Sequence, residues 1–261
     1  MIILNNDEKN TILNLKEFSM PIEISKKRKF IKPVNEFNLF GEITGMRIAE
    51  LIGLKCAKYD FARIGDVKYI LSDDIGEGTT FRLAQDIFNI ELNSIIEIQA
   101  EIKKYFPNHE KDLMKDIIKI YIMDILTINF DRNSKNWGIK INNSKPEVWI
   151  FDNEYIFLND GFPVIYFNKF TSDLRHEGDI NSFLMNISED VENFLNYEEN
   201  FYQKLFYEIL KILTPTVIKQ ISMEVVKEIC EPHSEELFIK EYHKVYEYFT
   251  NMICKKQYNY C

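Results

Sequence analysis

Two carboxylates and one amide near the middle of the chain have the residue types and the spacing to act on a phosphorylated compound. Asp131 is followed by Asn136 five positions later, and Asp152 comes sixteen positions after Asn136. A hydroxyl nucleophile needs a carboxylate that orients it and accepts its proton, which is a role for Asp131. Magnesium prefers oxygen ligands, and the amide of Asn136 and the carboxylate of Asp152 supply them. The pattern therefore predicts phosphoryl chemistry at a bound magnesium ion.

A lysine and a glutamate in the first part of the chain extend this set. Lys32 ends a short predicted strand, where its ammonium group is suited to contacting phosphate oxygens. Glu42 comes ten residues later, opens a predicted helix and is expected to pair with Lys32. Either residue alone is more often an exposed lysine or a helix-opening acid. In this order, together with Asp131, Asn136 and Asp152, they favour an ATP-dependent phosphotransferase.

Short strands and one helix are predicted for the first part of the chain. Alternating apolar and polar residues indicate a hairpin over residues 21–32, with strands over 56–62 and 67–71. Apolar residues at intervals of three and four predict a helix over 40–53. A short polar stretch over 72–78 is the best candidate for a hinge.

Longer helices are predicted beyond this hinge. Helical patterns cover residues 91–106 and 109–128, and the second is apolar enough to be a central buried helix. A buried strand is predicted over 148–151, an irregular segment over 154–180, and several helices from 181 to about 254. We therefore expect an α+β bilobal fold, with a small strand-rich N-lobe over 1–75 and a larger helical C-lobe over 76–261.

Composition narrows the class of protein. The chain has 261 residues, of which 46% are hydrophobic, so it can bury a core and is not globally disordered. Its net charge of -9 disfavours non-specific binding to nucleic acid, and no direct nucleic-acid partner is expected. The four cysteines contain no C-x-x-C pair, which argues against a zinc site. Without a signal-like or membrane-spanning apolar run, the expectation is a cytoplasmic protein with no transmembrane segment.

These motifs resemble those of HipA-like kinases, in the superfamily that also contains the phosphatidylinositol 3- and 4-kinases. The family's Asn-x-Asp-Arg-His-x-x-Asn-x-Gly loop is matched by Asn129-Phe130-Asp131-Arg132-Asn133-Ser134-Lys135-Asn136-Trp137-Gly138. This loop is also similar to that of the type II phosphatidylinositol 4-kinases. The strand Ile150-Phe151-Asp152, the lysine strand Phe30-Ile31-Lys32-Pro33 and the helix from Gly41-Glu42 to Leu54 resemble further family elements. The likeness covers roughly residues 18 to 155.

The resemblance implies a protein-kinase-like fold that uses ATP and Mg²⁺. The lysine is then expected to contact the α- and β-phosphates and the glutamate to orient it, with the adenine beside the hinge. The implied site residues are Asp131 and Asn136 for catalysis, Asn136 and Asp152 for magnesium, and Lys32, Glu42, Ser19, Leu71 and Asp73 for the nucleotide.

The sequence departs from the family pattern in three places. Asn133 replaces the usual histidine after Asp-Arg, and Glu154 replaces the glycine that usually follows two positions after the metal-binding aspartate. No glycine-rich phosphate loop precedes the lysine strand, where Glu17-Phe18-Ser19-Met20-Pro21 stands instead. Backbone amides around Ser19 and Met20 are an alternative cap for the phosphates, and an ordinary turn is the competing interpretation.

Three functions stay open at this point. The first is a HipA-like serine/threonine protein kinase, whose partner is a protein acceptor with a Ser or Thr hydroxyl. The second is a kinase for an inositol-lipid headgroup or a small molecule, with the same nucleotide site. The third is a nucleotide-binding pseudokinase that acts as a regulator or as a toxin-antitoxin partner, which Glu154 and the glycine-free loop before the lysine strand keep open.

Overall fold

The fold is a bilobal α+β arrangement with a strand-rich N-lobe and a larger helical C-lobe. The computed structural model describes residues 1–15, 21–88, 95–129, 132–142, 145–154, 156, 164–166, 175–177, 199–229 and 235–258. The strands are β1 (Ile22–Ile24), β2 (Lys27–Val34), β3 (Lys55–Cys56), β4 (Tyr59–Ile64), β5 (Val67–Asp73), β6 (Thr80–Leu83), β7 (Trp137–Asn142), β8 (Lys145–Ile150), β9 (Val164–Tyr166) and β10 (Arg175–Glu177). The helices are α1 (Asn6–Leu13), α2 (Glu36–Leu51), α3 (Ala84–Phe88), α4 (Ile95–Tyr105), α5 (Glu110–Thr127), α6 (Glu199–Ile212), α7 (Pro215–Ile229) and α8 (Glu235–Tyr258), with a 3-10 turn at Pro107–His109.

The N-lobe sheet is antiparallel, in the order β1-β2-β5-β4. The predicted hairpin is present, but its second strand continues through Pro33 to Val34. Proline is tolerated here because β1 pairs only with residues 27–29, and no other strand in the described ranges pairs with that edge of β2 beyond them. Because successive side chains alternate, Ile31 enters a small core with Leu71 while Lys32 and Ile70 face the opposite side of the sheet.

A short helix, α1, covers the outer face of this sheet in addition to the one helix predicted for the N-lobe. Its first turn has a capping box, in which the Asn5 side chain accepts from the Glu8 N–H and Glu8 accepts from the Asn5 N–H, both at 2.9 Å. Glu8 also accepts from the N–H of Ser25 at 2.8 Å in the β1–β2 turn. Glu8 therefore ties α1 to the hairpin.

The long N-lobe helix, α2, begins earlier than the apolar pattern predicts. Asn35 caps it by accepting from the Asn38 N–H at 2.8 Å, so the helix starts at Glu36. Glu42 consequently lies in the second turn and does not open the helix, which corrects the sequence prediction. Gly41 and Gly45, four residues apart, allow the segment after Asp152 to approach closely, since a Cβ on either would clash with it.

The second sheet has the order β3-β8-β7-β6, with β3 parallel to β8 and the other pairs antiparallel. The single strand predicted over 56–62 is in fact two strands in different sheets. The chain leaves β3 at Ala57, whose N–H donates to the carbonyl of Ile150, and then enters β4. The lobe boundary predicted between residues 75 and 76 stays a prediction, and β3 pairs across it with β8.

The C-lobe is built around α5, the predicted central buried helix. Its apolar face packs in the large core that extends to α2 and to the last three helices. It ends where Ile128 adopts a left-handed conformation, with φ of 55°, which turns the chain into the predicted catalytic loop. The helix predicted over 91–106 appears as α4, and most of the segment 154–180 lies outside the described residues. None of the helices in the described ranges is long and apolar enough to cross a membrane.

Candidate functional site

A cleft of about 570 Å³ lies between the N-lobe sheet and the second sheet. This volume is within the range of ~300–1,000 Å³ found for small-molecule pockets. Its walls are mainly apolar and include Ile70, Phe81 and Phe151, and residues 72–76 of the predicted hinge line it as well. Lys32 and Asp152 also line it, so that one apolar cavity is joined to a charged group.

The ammonium group of Lys32 is surrounded by three carboxylates. Its Nζ lies 2.9 Å from Glu154 Oε2, 3.0 Å from Asp152 Oδ1 and 3.3 Å from Glu42 Oε1. The sequence predicts proximity of Lys32 to Glu42, and the two form an ion pair across β2 and α2. Glu42 is 1% exposed, whereas Lys32 is 37% exposed, so the cluster extends from the core to the open cleft.

Burial and charge act in opposite directions in this cluster. Burial alone would lower the pKa of Lys32, but Glu42, Asp152 and Glu154 outweigh it and raise that pKa above its ordinary value. Burial raises the pKa of Glu42 to about 7, and Lys32 opposes this rise without cancelling it. Lys32 is therefore a firmly charged group, whereas Glu42 titrates near neutral pH.

Asp152 is held in an unusual backbone conformation directly after β8. Its φ of 58° is in the left-handed region, which residues other than glycine seldom adopt. The hydroxyl of Tyr59 accepts a hydrogen bond from the Asp152 N–H at 2.8 Å, and the N–H of Asn153 donates to Glu42 Oε2 at 2.6 Å. Strained non-glycine residues are frequent at functional sites, and here two side chains from the N-lobe maintain the strain.

Arg132 is buried behind the cleft and connects the predicted catalytic loop to the strand that carries Asp152. Its guanidinium donates to both carboxylate oxygens of Asp124, at 3.0 and 3.2 Å, and to Asn153 Oδ1 at 2.6 Å. It also donates to the backbone carbonyls of Asn136 and Phe151, at 3.1 and 2.7 Å. A single side chain therefore fixes α5, the loop and the residues on both sides of Asp152.

Asn136 is buried and lies beside the strand end that precedes Asp152. It comes immediately before β7, and its carbonyl accepts from the N–H of Phe151 at 3.2 Å, which continues the β7–β8 ladder by one residue. The structure thus brings the backbone of Asn136 next to Phe151, adjacent to Asp152. The metal-binding role of Asn136 stays a prediction.

Of the two hinge residues predicted to contact the nucleotide, Asp73 borders the cleft and Leu71 does not. The Leu71 side chain is buried in the small core with Ile31 and Tyr69, and its neighbours Ile70 and Ser72 line the cleft instead. The sequence located the hinge, but it did not indicate which side chains of β5 face the cleft and which face the small core. Asp73 borders the cleft, but its carboxylate is 2.5 Å from Nζ of the buried Lys29.

Two other predicted site residues, Ser19 and Asp131, lie outside the described residues. Asn129 and Arg132, which come before and after Asp131, are described. Asn129 donates from its amide to Asp124 Oδ1 at 2.9 Å, and Arg132 binds the same carboxylate. The roles assigned to Ser19 and Asp131 stay predictions.

The contacts of Arg132 and Glu154 were not predicted from the sequence. An indication existed for Arg132, because Asp124 interrupts the apolar face of a helix predicted to be buried, and a buried carboxylate requires a partner. Glu154 was recognised as a departure from the family pattern, but its contact with Lys32 spans 122 positions of sequence. The sequence contains no local pattern that indicates such a contact.

The acidic side of the cluster has the donor set that magnesium prefers. Carboxylate oxygens of Glu42, Asp152 and Glu154 lie within 4.8 Å of one another, and all are hard oxygen donors. The Lys32 ammonium contacts the same three carboxylates, which shows that this cluster can hold a cation. The residues present therefore fit a divalent ion at Asp152 in chemical type.

Comparison with known proteins gives matches in structure alone. No family model matches the chain, and no curated protein matches it. The Helicobacter pylori proinflammatory kinase CtkA aligns over 87% of this chain and 88% of its own, with a TM-score of 0.55 and 15% identity. HipA of Shewanella oneidensis MR-1, solved with HipB and operator DNA, aligns over 90% of this chain and 65% of its own, with a TM-score of 0.55 and 14% identity. The chain has the bilobal protein-kinase-like fold of HipA-like kinases.

Proposed function

We propose that the protein is an ATP- and Mg²⁺-dependent phosphotransferase. The observation that carries this proposal is the position of Lys32, whose ammonium group pairs with Glu42 and Asp152 and lines a cleft of about 570 Å³. A charged lysine beside an apolar cavity matches a ligand that has a flat base and several phosphates. The fold shared with CtkA, a kinase, and with HipA supports the same activity.

The nucleotide would occupy the cleft along its length. The adenine would lie between apolar residues such as Ile70 and Phe151, beside the hinge residues from Ser72 onward. The α- and β-phosphates would accept hydrogen bonds from Lys32. Asn136 and Asp152 would hold Mg²⁺, which when bound neutralises charge on the phosphate oxygens.

The transfer step requires a group that acts on the acceptor rather than on the nucleotide. Asp131 would orient the acceptor hydroxyl and accept its proton as the oxygen forms a bond to the γ-phosphorus. The bond from that phosphorus to the β–γ bridging oxygen breaks, and ADP leaves. Arg132, adjacent in sequence, would hold the loop in place through its contacts with Asp124 and the carbonyl of Phe151.

The acceptor is proposed to be a Ser or Thr hydroxyl of a protein. This follows from the resemblance of the loop from Asn129 to Gly138 to HipA-like kinases and from the fold shared with the kinase CtkA. An inositol-lipid acceptor and a pseudokinase without transfer are the outcomes that the test must separate.

The test combines thermal unfolding with a transfer assay. MgATP at millimolar concentration should raise the melting temperature by several degrees if binding is micromolar, because a ligand of the native state stabilises it. Lys32→Met should reduce this shift by removing the phosphate contact. Labelled ATP is then offered with a protein mixture, with inositol-lipid vesicles and with no acceptor.

Two variants separate the predicted roles in that test. Asp152→Asn should weaken Mg²⁺-dependent nucleotide binding, whereas Asp131→Asn should leave binding intact and abolish transfer. Label on lipid alone would indicate the lipid kinase, and tight binding without transfer would indicate the pseudokinase. A melting temperature unmoved by ATP or ADP, with Mg²⁺ or Mn²⁺ present, would contradict the proposal.

A further inference from the structure

Glu154 brings a third carboxylate to Lys32. HipA-like kinases, which the sequence resembles, usually have a glycine at this position. Glu154 Oε2 is 2.9 Å from Lys32 Nζ, the shortest of the three contacts of that ammonium group with carboxylates. The Glu154 side chain is 15% exposed, so the pair is partly shielded from solvent. What this carboxylate does to the nucleotide site is an inference that rests on the proposed function.

Several contacts fix the position of Glu154. Its contact with Lys32 is therefore not that of a freely moving surface side chain. Asn38, in the first turn of α2, donates to Glu154 Oε2 at 3.1 Å. The backbone carbonyl of Glu154 lies so close to α2 that a Cβ on Gly41 would be 2.6 Å from it. The preceding residue, Asn153, is held by Arg132 and by Glu42. Glu154 is therefore presented to Lys32 by a fixed backbone.

The number of N–H donors on Lys32 limits how many phosphate oxygens it can bind. A lysine ammonium has three N–H donors, and here it donates to Asp152 and to Glu154, while Glu42 pairs with the same group at 3.3 Å. If Asp152 turns to a magnesium ion, one donor is released. Glu42 is buried and fixed by the N–H of Asn153, so it stays in place. Glu154 therefore retains the donor that a second phosphate oxygen would require.

The charge balance acts in the same direction. Three carboxylates against one ammonium give the ionised cluster an excess of negative charge, which opposes the approach of a triphosphate. Glu154 contributes to this repulsion, because among the described residues no cation other than Lys32 pairs with its carboxylate.

We propose that Glu154 competes with the nucleotide phosphates for the ammonium group of Lys32 and so restrains nucleotide binding. It is a positioning residue, because it acts through Lys32 and not on the reacting atoms. Binding of ATP then requires Lys32 to exchange a carboxylate for a phosphate oxygen. Phosphate affinity is correspondingly lower than the cleft would otherwise give.

The experiment measures the affinity of the full chain for MgATP, MgADP and adenosine by calorimetry. Glu154→Gln keeps the size and the acceptor for Asn38 but removes the charge. It should tighten binding of MgATP and MgADP roughly tenfold, the effect of about one partly shielded charge pair. Its affinity for adenosine should equal that of the parent, since adenosine has no phosphate. A purely structural role for Glu154 would change all three affinities together.

The control is Glu23→Gln, which removes the same charge from an exposed position on β1 and should leave all three affinities unchanged. If the parent binds nucleotide and Glu154→Gln binds MgATP equally or more weakly, this inference is wrong while the proposed function stands. Weaker binding confined to the magnesium complexes would make Glu154 a metal ligand instead. If neither protein binds any of the three compounds, the proposed function fails first.

Discussion

Two clusters lie on either side of the segment Asp152–Asn153, and each is built around one cation with several oxygen partners. Around Arg132, the guanidinium, Asp124 and Asn153 are buried, and among the described residues Asp124 is the single carboxylate that faces the guanidinium together with neutral oxygens. Around Lys32, three carboxylates face one ammonium group, and Lys32 and Asp152 open into the cleft. The first cluster is balanced in charge and closed to solvent, whereas the second is acidic and open.

This difference distinguishes a structural brace from a binding site more clearly than residue types do. A buried pair in which every donor has an acceptor leaves nothing for a ligand to add. An open cluster with excess negative charge can accept a cation, and its lysine can accept a phosphate in exchange. We therefore assign stability to Arg132 and ligand binding to Lys32, and the predictions below test that assignment.

Removal of Arg132 should have the largest effect on stability. Arg132→Met leaves the buried carboxylate of Asp124 without its cation, a change that typically costs about 3–5 kcal/mol. The free energy of unfolding from urea titrations measures this loss. Lys32→Met is the matched control, because its partners Asp152 and Glu154 are reached by solvent and the buried Glu42, whose pKa is raised to about 7, can take up a proton when its cation is removed. It should cost less than half as much.

A second variant keeps this comparison testable if Arg132→Met does not fold. Asp124→Leu combined with Arg132→Met removes both charges and should recover part of the stability. Recovery should be incomplete because the carbonyl oxygens of Asn136 and Phe151 still lose a donor. Equal losses for Arg132→Met and Lys32→Met would mean that charge balance and burial do not separate the two clusters.

The elements that form both clusters could largely be predicted from the sequence, whereas several contacts within the clusters could not. Local periodicity indicated β2 and α5, and the order of Lys32, Glu42 and Asp152 indicated that they converge. Helix α1 was missed because it is short and is held by a contact with the turn at Ser25, although Asn5 and Glu8 have the spacing of a capping box. The contact of Glu154 with Lys32 depends on the packing of α2, which local patterns do not reveal.

The second prediction concerns the pH dependence of the open cluster. Burial raises the pKa of Glu42 from 4.5 to about 7, so the folded protein retains this proton in a range where the unfolded chain has lost it. The contribution of Glu42 to stability is therefore full below pH 4.5 and declines as pH rises towards 7. At about 1.4 kcal/mol per pH unit, the decline is at most a few kcal/mol.

Glu42→Gln isolates this effect, because the amide keeps an acceptor for the N–H of Asn153 and does not titrate. Between pH 5 and 7.5 the parent should lose stability relative to the variant, as measured by urea unfolding at each pH. Lys32, Asp152, Glu154, Cys56 and Tyr59 also face Glu42 electrostatically, and all five are unchanged in the variant. Parallel pH profiles for the two proteins would show that Glu42 is already ionised at pH 5.

The third prediction has the smallest effect and extends the comparison to a partly buried arginine whose carboxylate partners are open to solvent. Arg47 on α2 lies 3.2 Å from Glu224 and also pairs with Glu228, so it links α2 to α7. Glu224 is 55% exposed and Glu228 is 37% exposed, so water and salt screen the pairing. Arg47→Gln should therefore cost less than about 1 kcal/mol, and the loss should shrink further in high salt. Arg63→Gln is the control, because it removes an exposed arginine whose partners among the described residues, Gly65 and Asp66, lie in its own turn. Arg47 and Arg132 both face carboxylates, and they differ mainly in their exposure to solvent. If Arg47→Gln lowered the free energy of unfolding as much as Arg132→Met, burial would not determine how much these clusters stabilise the fold.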